Sequence, residues 1–214
     1  MKKQLHHYRK SYEKFKLGEQ EISEHPLSLF ETWFKEAEQS LKVDEVNAMT
    51  LSTIGKDGFP KSRVVLLKQF DLNGFVFFTN YNSEKGQAME KNPHVCLSFF
   101  WPALERQIII KGIAEKVSEE ESEFYFQSRP RGSQLGAHAS NQSSEISSRE
   151  ELDKHLQKLE VEYEGKEIPK PNYWGGYNIS PSEYEFWQGR KNRLHDRIRY
   201  KLIEDNWQIN RLAP

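Results

Sequence analysis

The sequence predicts an α+β fold, and three observations support this class. A helical pattern near the N-terminus is followed by a run of short strand patterns, then by two helical patterns, then by strands again. Turn signals at Gly55–Gly58 and Asp71–Gly74 separate the first strand patterns. No internal repeat, low-complexity tract or linker divides the 214 residues. The many short strands favour a closed barrel with flanking helices.

The charge balance and hydropathy exclude several functional classes. The chain carries 31 Lys and Arg against 32 Asp and Glu, which leaves no general basic footprint for nucleic acid. No stretch approaches the roughly 20 apolar residues of a membrane span. The charged N-terminus is not followed by an apolar run, and no Cys/His spacing indicates a metal site. We therefore expect a cytoplasmic protein that binds neither nucleic acid nor membrane.

The helices are predicted from apolar spacing and capping residues. After Pro26, apolar residues recur at helical intervals as far as Leu41, whereas residues 1–25 are polar and are interpreted as an arm. Ser118 and Ser148 each precede a helical pattern, with a glutamate three residues later, which is a capping-box arrangement. We assign no regular structure to the small-residue segment 133–147.

The strands follow a period of two or form short apolar runs. Segment 64–67 is apolar without alternation, which predicts a strand buried on both faces. A short helix over 83–92 ends at Pro93, and the last hairpin is predicted to turn at Asp205–Asn206.

A basic cluster close to the C-terminus is the first candidate site. Arg193, His195 and Arg197 are spaced so that an extended strand would place all three on one face. One interpretation is a solvated basic edge strand, which deters aggregation. The other is a pocket for a phosphate or an electron-rich ring, against which Trp174 and Trp187 could stack.

Tyr125, Arg129 and Ser133 form a second candidate cluster. They lie four residues apart and would share one helix face, although Pro130 is expected to break the helix. One interpretation is that they contribute to a ligand site. The alternative is a helix end with a satisfied arginine.

A third candidate lies where the strand that ends at Phe78 and Thr79 leads into a helix near Lys85. Free N–H groups at a helix N-terminus make a natural phosphate site. Arg63 and Lys68 flank the 64–67 run and, without further information, are strand-end charges.

The segment WQGRKNRLHDR at 187–197 resembles the C-terminal signature of the pyridoxine (pyridoxamine) 5'-phosphate oxidase family. RVVLLK at 63–68 and YFQSRPRGSQLG at 125–136 resemble two further segments of that family, and the resemblance runs from about Arg9 to the end. It implies a split β-barrel FMN-binding oxidase domain at 26–214 after a mobile arm at 1–25. It also implies a homodimer with FMN bound between the subunits.

The resemblance implies oxidation of pyridoxamine 5'-phosphate or pyridoxine 5'-phosphate by dioxygen. The products would be pyridoxal 5'-phosphate and hydrogen peroxide, with ammonia from the amine. The alternatives are another split-barrel FMN oxidoreductase with a different substrate, and a non-catalytic carrier of pyridoxal phosphate or flavin. The R-L-H and S-R-P-x-x-S segments favour the oxidase, because a bare flavin binder does not need substrate elements.

The resemblance also implies individual roles. Arg193 would position the pyridine ring as a catalytic residue, and His195 would assist by hydrogen bonding, although its flanking arginines should disfavour a charged imidazole. The cofactor contacts would be Arg63, Val64, Val65, Leu66, Leu67, Lys68, Phe78, Thr79, Lys85, Gln107, Gln142, Ser143, Trp187 and Arg197. The substrate contacts would be Arg9, Tyr12, Lys68, Tyr125, Arg129, Ser133, Arg193 and His195.

One position departs from the family pattern. Glu84 stands where the family usually has an arginine before the lysine. A carboxylate near a dianionic phosphate should repel it, so only Lys85 is predicted to serve the phosphate here.

Overall fold

A computed structural model describes residues 3–214, and in that range it confirms the α+β class. The helices are α1 Pro26–Gln39, α2 Glu84–Lys91, α3 Glu119–Ser128, α4 Arg131–Ala139 and α5 Arg149–Glu162. The strands are β1 Ala48–Ile54, β2 Pro60–Leu66, β3 Gln69–Asp71, β4 Gly74–Asn80, β5 His94–Trp101, β6 Arg106–Lys116, β7 Trp174–Gln188, β8 Asp196–Ile203 and β9 Asn206–Arg211.

The strands pair in the order β2–β1–β5–β6–β7–β4–β3, and β8 pairs with both β7 and β9. By its contacts the chain forms two compact units. The first unit comprises Met1–Met49, Leu97–Lys111 and Ser182–Pro214, and the second comprises Thr50–Cys96 and Gly112–Pro181.

Aromatic side chains fill the core of the first unit. Helix α1 buries Phe30 and Trp33, whose rings lie 5.3 Å from those of Phe99 and Phe186, respectively. Tyr200 is also fully buried, and its hydroxyl donates to Ser23 O over 2.8 Å. Each aromatic ring removes a large apolar area from water, so a few of them stabilise a small core.

The second unit is organised by the antiparallel pair β4 and β7. The register sets Phe75 opposite Ile179 at one end and Asn80 opposite Trp174 at the other. Trp174 therefore lies at the strand end from which the chain leaves for α2. Helices α3, α4 and α5 pack there in one apolar cluster, whose buried members are Phe126, Leu135, Ala139, Leu159, Ile168 and Trp174.

Both predicted capping serines are confirmed. Ser118 Oγ accepts the N–H of Glu121 over 3.0 Å and Ser148 Oγ accepts the N–H of Glu151 over 3.3 Å. Each hydroxyl satisfies a backbone donor that the first helical turn leaves free. The short helix that begins after Ser83 and the final hairpin are also present, with the hairpin turn at 204–205.

The prediction that the 64–67 run is buried on both faces is wrong. Strand β2 ends at Leu66, and Val64 is 67% exposed in the single chain. Only Leu67, just past the strand, is buried. An apolar run indicates that its side chains are buried, but it does not show whether they are buried in the core of one chain or in an interface between chains.

The prediction that Arg193, His195 and Arg197 share a strand face is also wrong. Residues 191–193 form a 3-10 turn with positive φ at Asn192 and Arg193, and β8 begins only at Asp196. A strand requires negative φ, so the alternation cannot extend back to Arg193. On such a strand Leu194 and Ile198 would share the opposite face, yet Leu194 is exposed and Ile198 is buried.

The sequence analysis missed α4. The segment 133–147 was given no regular structure, yet its first part forms a helix that buries Leu135 and Ala139. Glycines at 132 and 136 lower helix propensity. Packing of the i, i+4 apolar pair offsets that loss, because most helical stability in proteins comes from tertiary contacts.

Two helix glycines give a matched test of packing. A Cβ added to Gly86 in α2 would lie 2.1 Å from Tyr81 O, whereas one added to Gly132 in α4 would meet nothing within 4 Å. Gly86→Ala should lower the free energy of unfolding by about 1–3 kcal/mol, because the chain must shift to relieve the clash. Gly132→Ala should be neutral or stabilising by up to about 1 kcal/mol. Urea unfolding of both variants measures the difference; equal stabilities would contradict it.

Candidate active site

A cavity of about 590 Å³ in the second unit collects many of the predicted site residues. Its volume lies within the range of small-molecule sites, roughly 300–1,000 Å³. The end of β2, the end of β4, the start of α2 and the corner between α3 and α4 form its walls. The predicted residues that line it are Val64, Val65, Leu66, Lys68, Phe78, Thr79, Lys85, Tyr125, Arg129, Ser133 and Gln142.

Lys85 is a buried cation whose side-chain hydrogen bonds go to neutral oxygens. Its ammonium donates to Thr79 Oγ1 and Ser83 Oγ, each over 3.2 Å, and to Gln142 Oε1 over 3.0 Å. Lys85 belongs to the first turn of α2, where the helix N-terminus adds positive potential. Buried charges are normally paired with an opposite charge. This cluster therefore fits an anion such as a phosphate group.

The pKa of Lys85 is lowered to about 8, chiefly by burial and also by the Arg63 guanidinium, while Glu84 acts in the opposite direction. A low-dielectric environment disfavours the charged ammonium, and a second nearby cation adds repulsion. A bound anion would reverse both effects. The direction of this shift agrees with the hydrogen bonds of the Lys85 ammonium, none of which goes to a carboxylate.

Arg129 gives the cavity a second cationic group. Its Nη1 is buried and has no hydrogen-bond partner among the described residues. Its guanidinium lies 4.6 Å from the ring centroid of Trp174 and 5.6 Å from that of Phe126, which holds its plane in position. Burial lowers the pKa of Arg129, as expected for a desolvated cation. An unsatisfied buried donor that lines a cavity is suited to an anionic ligand.

The cavity also has a flat aromatic wall. Phe78 and Tyr125 stack with centroids 3.9 Å apart, and Tyr125 is nearly parallel to Trp174 at 6.1 Å. These contacts fix the Tyr125 ring, so its hydroxyl has a defined position. Ser133 and Lys68 complete the group and are exposed. The structure thus brings together Tyr125, Arg129, Ser133 and Lys68, although Pro130 separates α3 from α4 as predicted.

Two residues of the RVVLLK segment do not line the cavity. Arg63 donates from Nη1 to Leu51 O over 3.3 Å and to Thr53 Oγ1 over 2.8 Å, and Leu67 is buried. Arg63 acts on the site through its charge, because it lowers the pKa of Lys85. Its direct contact with a cofactor stays a prediction.

Glu84 belongs to a second cavity of about 370 Å³, which Ser143 and Gln142 also line. Its carboxylate forms an ion pair with Lys61, and its backbone N–H donates to Ser143 Oγ over 3.2 Å. Lys61 therefore offsets the negative charge that the sequence places beside Lys85.

A cluster of rings in the first unit contains three more predicted residues. The Trp187 and His195 rings lie 4.6 Å apart, and Tyr12 from the N-terminal segment lies 5.7 Å from Trp187 and 5.9 Å from His195. The edge-on contacts of Tyr12 are a favourable aromatic geometry. The structure thus brings Tyr12 together with Trp187 and His195, which are far from it in the sequence.

His195 has a defined tautomer in this cluster. Its Nδ1 accepts the backbone N–H of Arg190 over 3.0 Å, so the proton of the neutral ring is on Nε2. Burial and the Arg193 charge lower the pKa of His195, and Asp196 raises it. The expected direction of the shift is confirmed, with burial as the larger cause. His195 is thus suited to donate a hydrogen bond from Nε2 and poorly suited to hold a positive charge.

The other predicted residues of the first unit are more dispersed. Arg197 Nε donates to Glu185 Oε1 over 2.8 Å, and its Nη1 donates to Ala213 O. Gln107 Nε2 donates to Ser98 Oγ over 3.1 Å. Arg9 and Arg193 are exposed. The ligand contacts of these residues stay predictions.

Five residues that line the first cavity were not predicted to contact a ligand, namely Asn80, Pro130, Gly136, Ala137 and Ser140. Three of them belong to α4 or its C-terminal end, which the sequence analysis did not identify as a helix. The sequence feature that could have identified this helix was the i, i+4 spacing of the apolar residues Leu135 and Ala139. Trp174 was predicted to stack near the 193–197 cluster, but it instead forms part of the wall beside Tyr125.

Residues 3–214 contain neither a group of potential metal ligands nor a helix that could span a membrane. No three His, Cys, Asp or Glu side chains are grouped there as metal ligands would be. None of the helices in that range has the length and apolar character that crossing a bilayer requires.

Two family profiles match this chain. The family described as Pyridoxamine 5'-phosphate oxidase matches residues 34–163. The family described as Pyridoxine 5'-phosphate oxidase C-terminal dimerisation region matches residues 174–214. The first match contains the whole lining of the cavity except Trp174, and the second contains Trp187 and the 193–197 cluster.

Curated relatives agree over the full length. A protein of Christiangramia forsetii named Pyridoxine/pyridoxamine 5'-phosphate oxidase is 59% identical over 214 residues, which covers 100% of both chains. A Flavobacterium johnsoniae protein of the same name is 62% identical and covers 98% of both chains.

Solved structures support the fold. PhzG from Burkholderia lata, in complex with tetrahydrophenazine-1-carboxylic acid, superposes with a TM-score of 0.86 at 30% identity, covering 92% of this chain and 98% of that one. A pyridoxamine 5'-phosphate oxidase-related FMN binding protein from Nostoc punctiforme superposes with a TM-score of 0.70 at 15% identity, covering 90% and 100%. The shared fold confirms the split β-barrel.

Lys85 should couple anion binding to proton uptake. Its pKa is about 8 in the free protein and should rise when an anion neutralises its surroundings. Above that pH, binding must return a proton to the ammonium, so affinity should fall by up to about tenfold per pH unit. Calorimetric titration with inorganic phosphate at about pH 8.5, in two buffers of different ionisation enthalpy, measures the uptake.

Lys85→Met should bind phosphate more weakly and without that uptake. Lys116→Met is the matched control, because Lys116 is exposed over the Tyr81 ring and does not line the cavity. Proton uptake that persists in Lys85→Met would show that another group titrates.

Proposed function

Because the chain belongs to the pyridoxamine 5'-phosphate oxidase family, we propose that it oxidises pyridoxamine 5'-phosphate and pyridoxine 5'-phosphate with FMN as cofactor. Dioxygen takes up the two electrons and two protons removed from the substrate and leaves as hydrogen peroxide. The alcohol gives pyridoxal 5'-phosphate directly. The amine gives an imine, whose hydrolysis yields the same aldehyde and ammonia.

The observation that carries this proposal is the pair of cationic groups in one cavity. Lys85 has only neutral hydrogen-bond acceptors, and Arg129 Nη1 has none among the described residues. Lys85 and Arg129 line the same cavity. Lys85 is surrounded by Thr79, Ser83 and Gln142, whereas Arg129 lies beside Trp174 and Phe126. Two such groups suit a phosphorylated cofactor beside a phosphorylated substrate.

Arg129 would bind the substrate phosphate. Its free Nη1 can donate to a phosphate oxygen, a charge-assisted bond about twice as strong as a neutral one. Tyr125, Ser133 and Lys68 line the same cavity and add phenol, hydroxyl and ammonium donors. The aromatic contacts of Arg129 limit its motion, so little side-chain entropy is lost on binding.

Lys85 and the N-terminus of α2 would bind the FMN phosphate. Thr79 and Gln142, which now accept hydrogen bonds from Lys85, can turn their own donors to phosphate oxygens. Val65 and Leu66 offer apolar surface to the ring system. Bound FMN would supply the redox chemistry, as an electron acceptor that the protein side chains cannot replace.

Arg193 and His195 would act on the pyridine substrate. The neutral His195 can donate from Nε2 because Nδ1 is held by the Arg190 N–H. Arg193 is exposed and places a guanidinium two residues before it in the sequence. Their roles rest on the likeness of the R-L-H segment to the family signature. In this proposal they orient the substrate and exclude alternative binding modes.

A homodimer would complete the burial of the molecule. Val64 is 67% exposed although it belongs to an apolar run, as expected for a residue covered by a second chain. The match of residues 174–214 to a C-terminal dimerisation region supports the same assembly.

A different substrate on the same fold is the second candidate. PhzG, which resembles this chain at 30% identity, is described with tetrahydrophenazine-1-carboxylic acid, a ligand without phosphate. The unpaired Arg129 favours a substrate with a strong anion at that position. Supplying the FMN-loaded protein with pyridoxamine 5'-phosphate or with unphosphorylated pyridoxamine distinguishes the two. Peroxide and aldehyde should form rapidly only from the phosphate ester; no turnover of either compound would contradict the proposal.

Arg129→Gln should raise KM for pyridoxamine 5'-phosphate by roughly 10–100-fold, since a charged hydrogen bond contributes about 1.5–3 kcal/mol. FMN affinity should change little, because the substitution lies in the other cationic group. Steady-state kinetics and flavin titration measure both effects.

Arg131→Gln is the matched control for that variant. Arg131 follows two residues later, donates to the carbonyls of Tyr163 and Lys166, and does not line the cavity. The KM of Arg131→Gln for pyridoxamine 5'-phosphate should stay within about twofold of the wild-type value. A similar rise in KM in both variants would mean that Arg129 acts through the α3–α4 corner rather than through the substrate.

A further inference from the structure

We propose that Glu105 is a positioning residue whose carboxylate fastens the N-terminal segment, so that Tyr12 is held against Trp187 and His195. The N-terminal segment here means residues 9–17. The inference rests on the proposed function for the substrate contact of Tyr12. It concerns a residue that belongs to no sequence motif identified above.

The Glu105 side chain is buried and faces the main chain of the segment. It is 2% exposed, and its Oε2 accepts the backbone N–H of Glu13 over 2.8 Å and that of Lys14 over 3.0 Å. The Lys10 ammonium lies 3.8 Å from Oε1. Hydrogen bonds from main-chain donors to a carboxylate are among the stronger ones in proteins. A buried carboxylate must keep such donors, because losing them leaves an unsatisfied charge.

The main chain of Glu105 holds the other side of the ring cluster. Its carbonyl accepts the N–H of Gly189 over 2.7 Å and Nε2 of Gln188 over 3.1 Å. These two residues directly follow Trp187. Glu105 has a φ of +57°, a conformation uncommon for a non-glycine residue. One residue thus binds the N-terminal segment with its side chain and the residues after Trp187 with its carbonyl.

Gly189 provides the space into which Tyr12 packs. A Cβ added to Gly189 would lie 2.8 Å from Cβ and Cγ of Tyr12 and 3.1 Å from Cβ of Glu105. The packing of Tyr12 at this position therefore requires glycine there. Tyr12 therefore reaches Trp187 and His195 only while residues 13 and 14 are held at Glu105.

The other attachments of the segment cannot replace this one. Leu17 is buried and its N–H donates to Asp196 Oδ2 over 3.1 Å, which fixes the base of the segment. Beyond that base, the Lys191–Glu13 ion pair spans 3.1 Å between exposed side chains. The exposed Lys14 ammonium donates to Ala103 O, and the Phe15 ring lies 4.9 Å from the Arg106 guanidinium. Exposed ion pairs are screened by water and salt and contribute little. The Glu105 carboxylate is the buried attachment nearest to Tyr12.

Three variants separate this role from a general loss of stability. Glu105→Gly removes the carboxylate, and glycine adopts a φ of +57° without strain. Glu105→Gln keeps one side-chain oxygen as an acceptor. Glu13→Gln is the matched control, because it removes the exposed ion pair on the same segment and leaves both backbone donors in place.

Amide hydrogen exchange at residues 13 and 14 tests the attachment without any need for activity. Exchange should quicken by at least about tenfold in Glu105→Gly, by less in Glu105→Gln, and not at all in Glu13→Gln. Unchanged exchange in Glu105→Gly would overturn the proposal. This result stands whether or not the wild type oxidises pyridoxamine 5'-phosphate, so failure of the proposed function is seen separately.

Kinetics on the FMN-loaded protein test the positioning role. KM for pyridoxamine 5'-phosphate should rise by roughly tenfold in Glu105→Gly, with kcat and bound FMN within about twofold of the wild type. Glu105→Gln should restore part of the affinity. Gly189→Ala, which leaves the carboxylate intact, should raise KM similarly by displacing Tyr12. A KM that stays at the wild-type value while exchange quickens would overturn the positioning role.

Discussion

Uncompensated positive charge in the cavity of the second unit is the constraint on which the proposed site depends. Lys85 is buried with neutral acceptors only, and Arg129 Nη1 lacks a partner among the described residues. Removing a cation from water costs free energy unless an anion replaces the lost hydration. The hydrogen-bond partners of Lys85 and Arg129 Nη1 among the described residues include no such anion, as expected of a site that binds an anionic ligand. Other features of the cavity support these two groups: Trp174 orients Arg129, and α2 adds its N-terminus beside Lys85.

The first unit uses buried polar contacts for a different purpose. The Arg190 N–H fixes the tautomer of His195, and Glu105 holds the segment that carries Tyr12. Neither contact is suited to bind a ligand itself. Both set the direction in which another side chain can donate, and sites of this kind lose activity when supporting contacts are loosened. The neutral His195 follows from the same arrangement, because burial and Arg193 disfavour its charged form.

The sequence predicted those parts of the structure that local pattern determines. Capping serines, turn glycines and the strand-to-helix junction before Lys85 are such features, and all are present. Features that depend on other parts of the chain were missed. Helix α4 forms because Leu135 and Ala139 pack into the apolar cluster of the second unit. Local helix propensity does not reveal such packing. The strand assigned to Arg193 fails because two residues take positive φ, which a period of two cannot reveal. Val64 is exposed in the single chain although it belongs to an apolar run, and the run alone does not reveal this. The spacing of Tyr125, Arg129 and Ser133 suggested that they form one group, and all three line the same cavity, whereas their ligand was not accessible from pattern alone.

The phosphate sites can be located in a crystal structure of the protein soaked with FMN and pyridoxal 5'-phosphate. Two separate phosphate groups should lie in the cavity of the second unit. One should lie within hydrogen-bond distance of Lys85 Nζ, and the other should accept a hydrogen bond from Arg129 Nη1. Occupied ligands whose phosphates bind elsewhere, with Lys85 still bonded only to Thr79, Ser83 and Gln142, would contradict it.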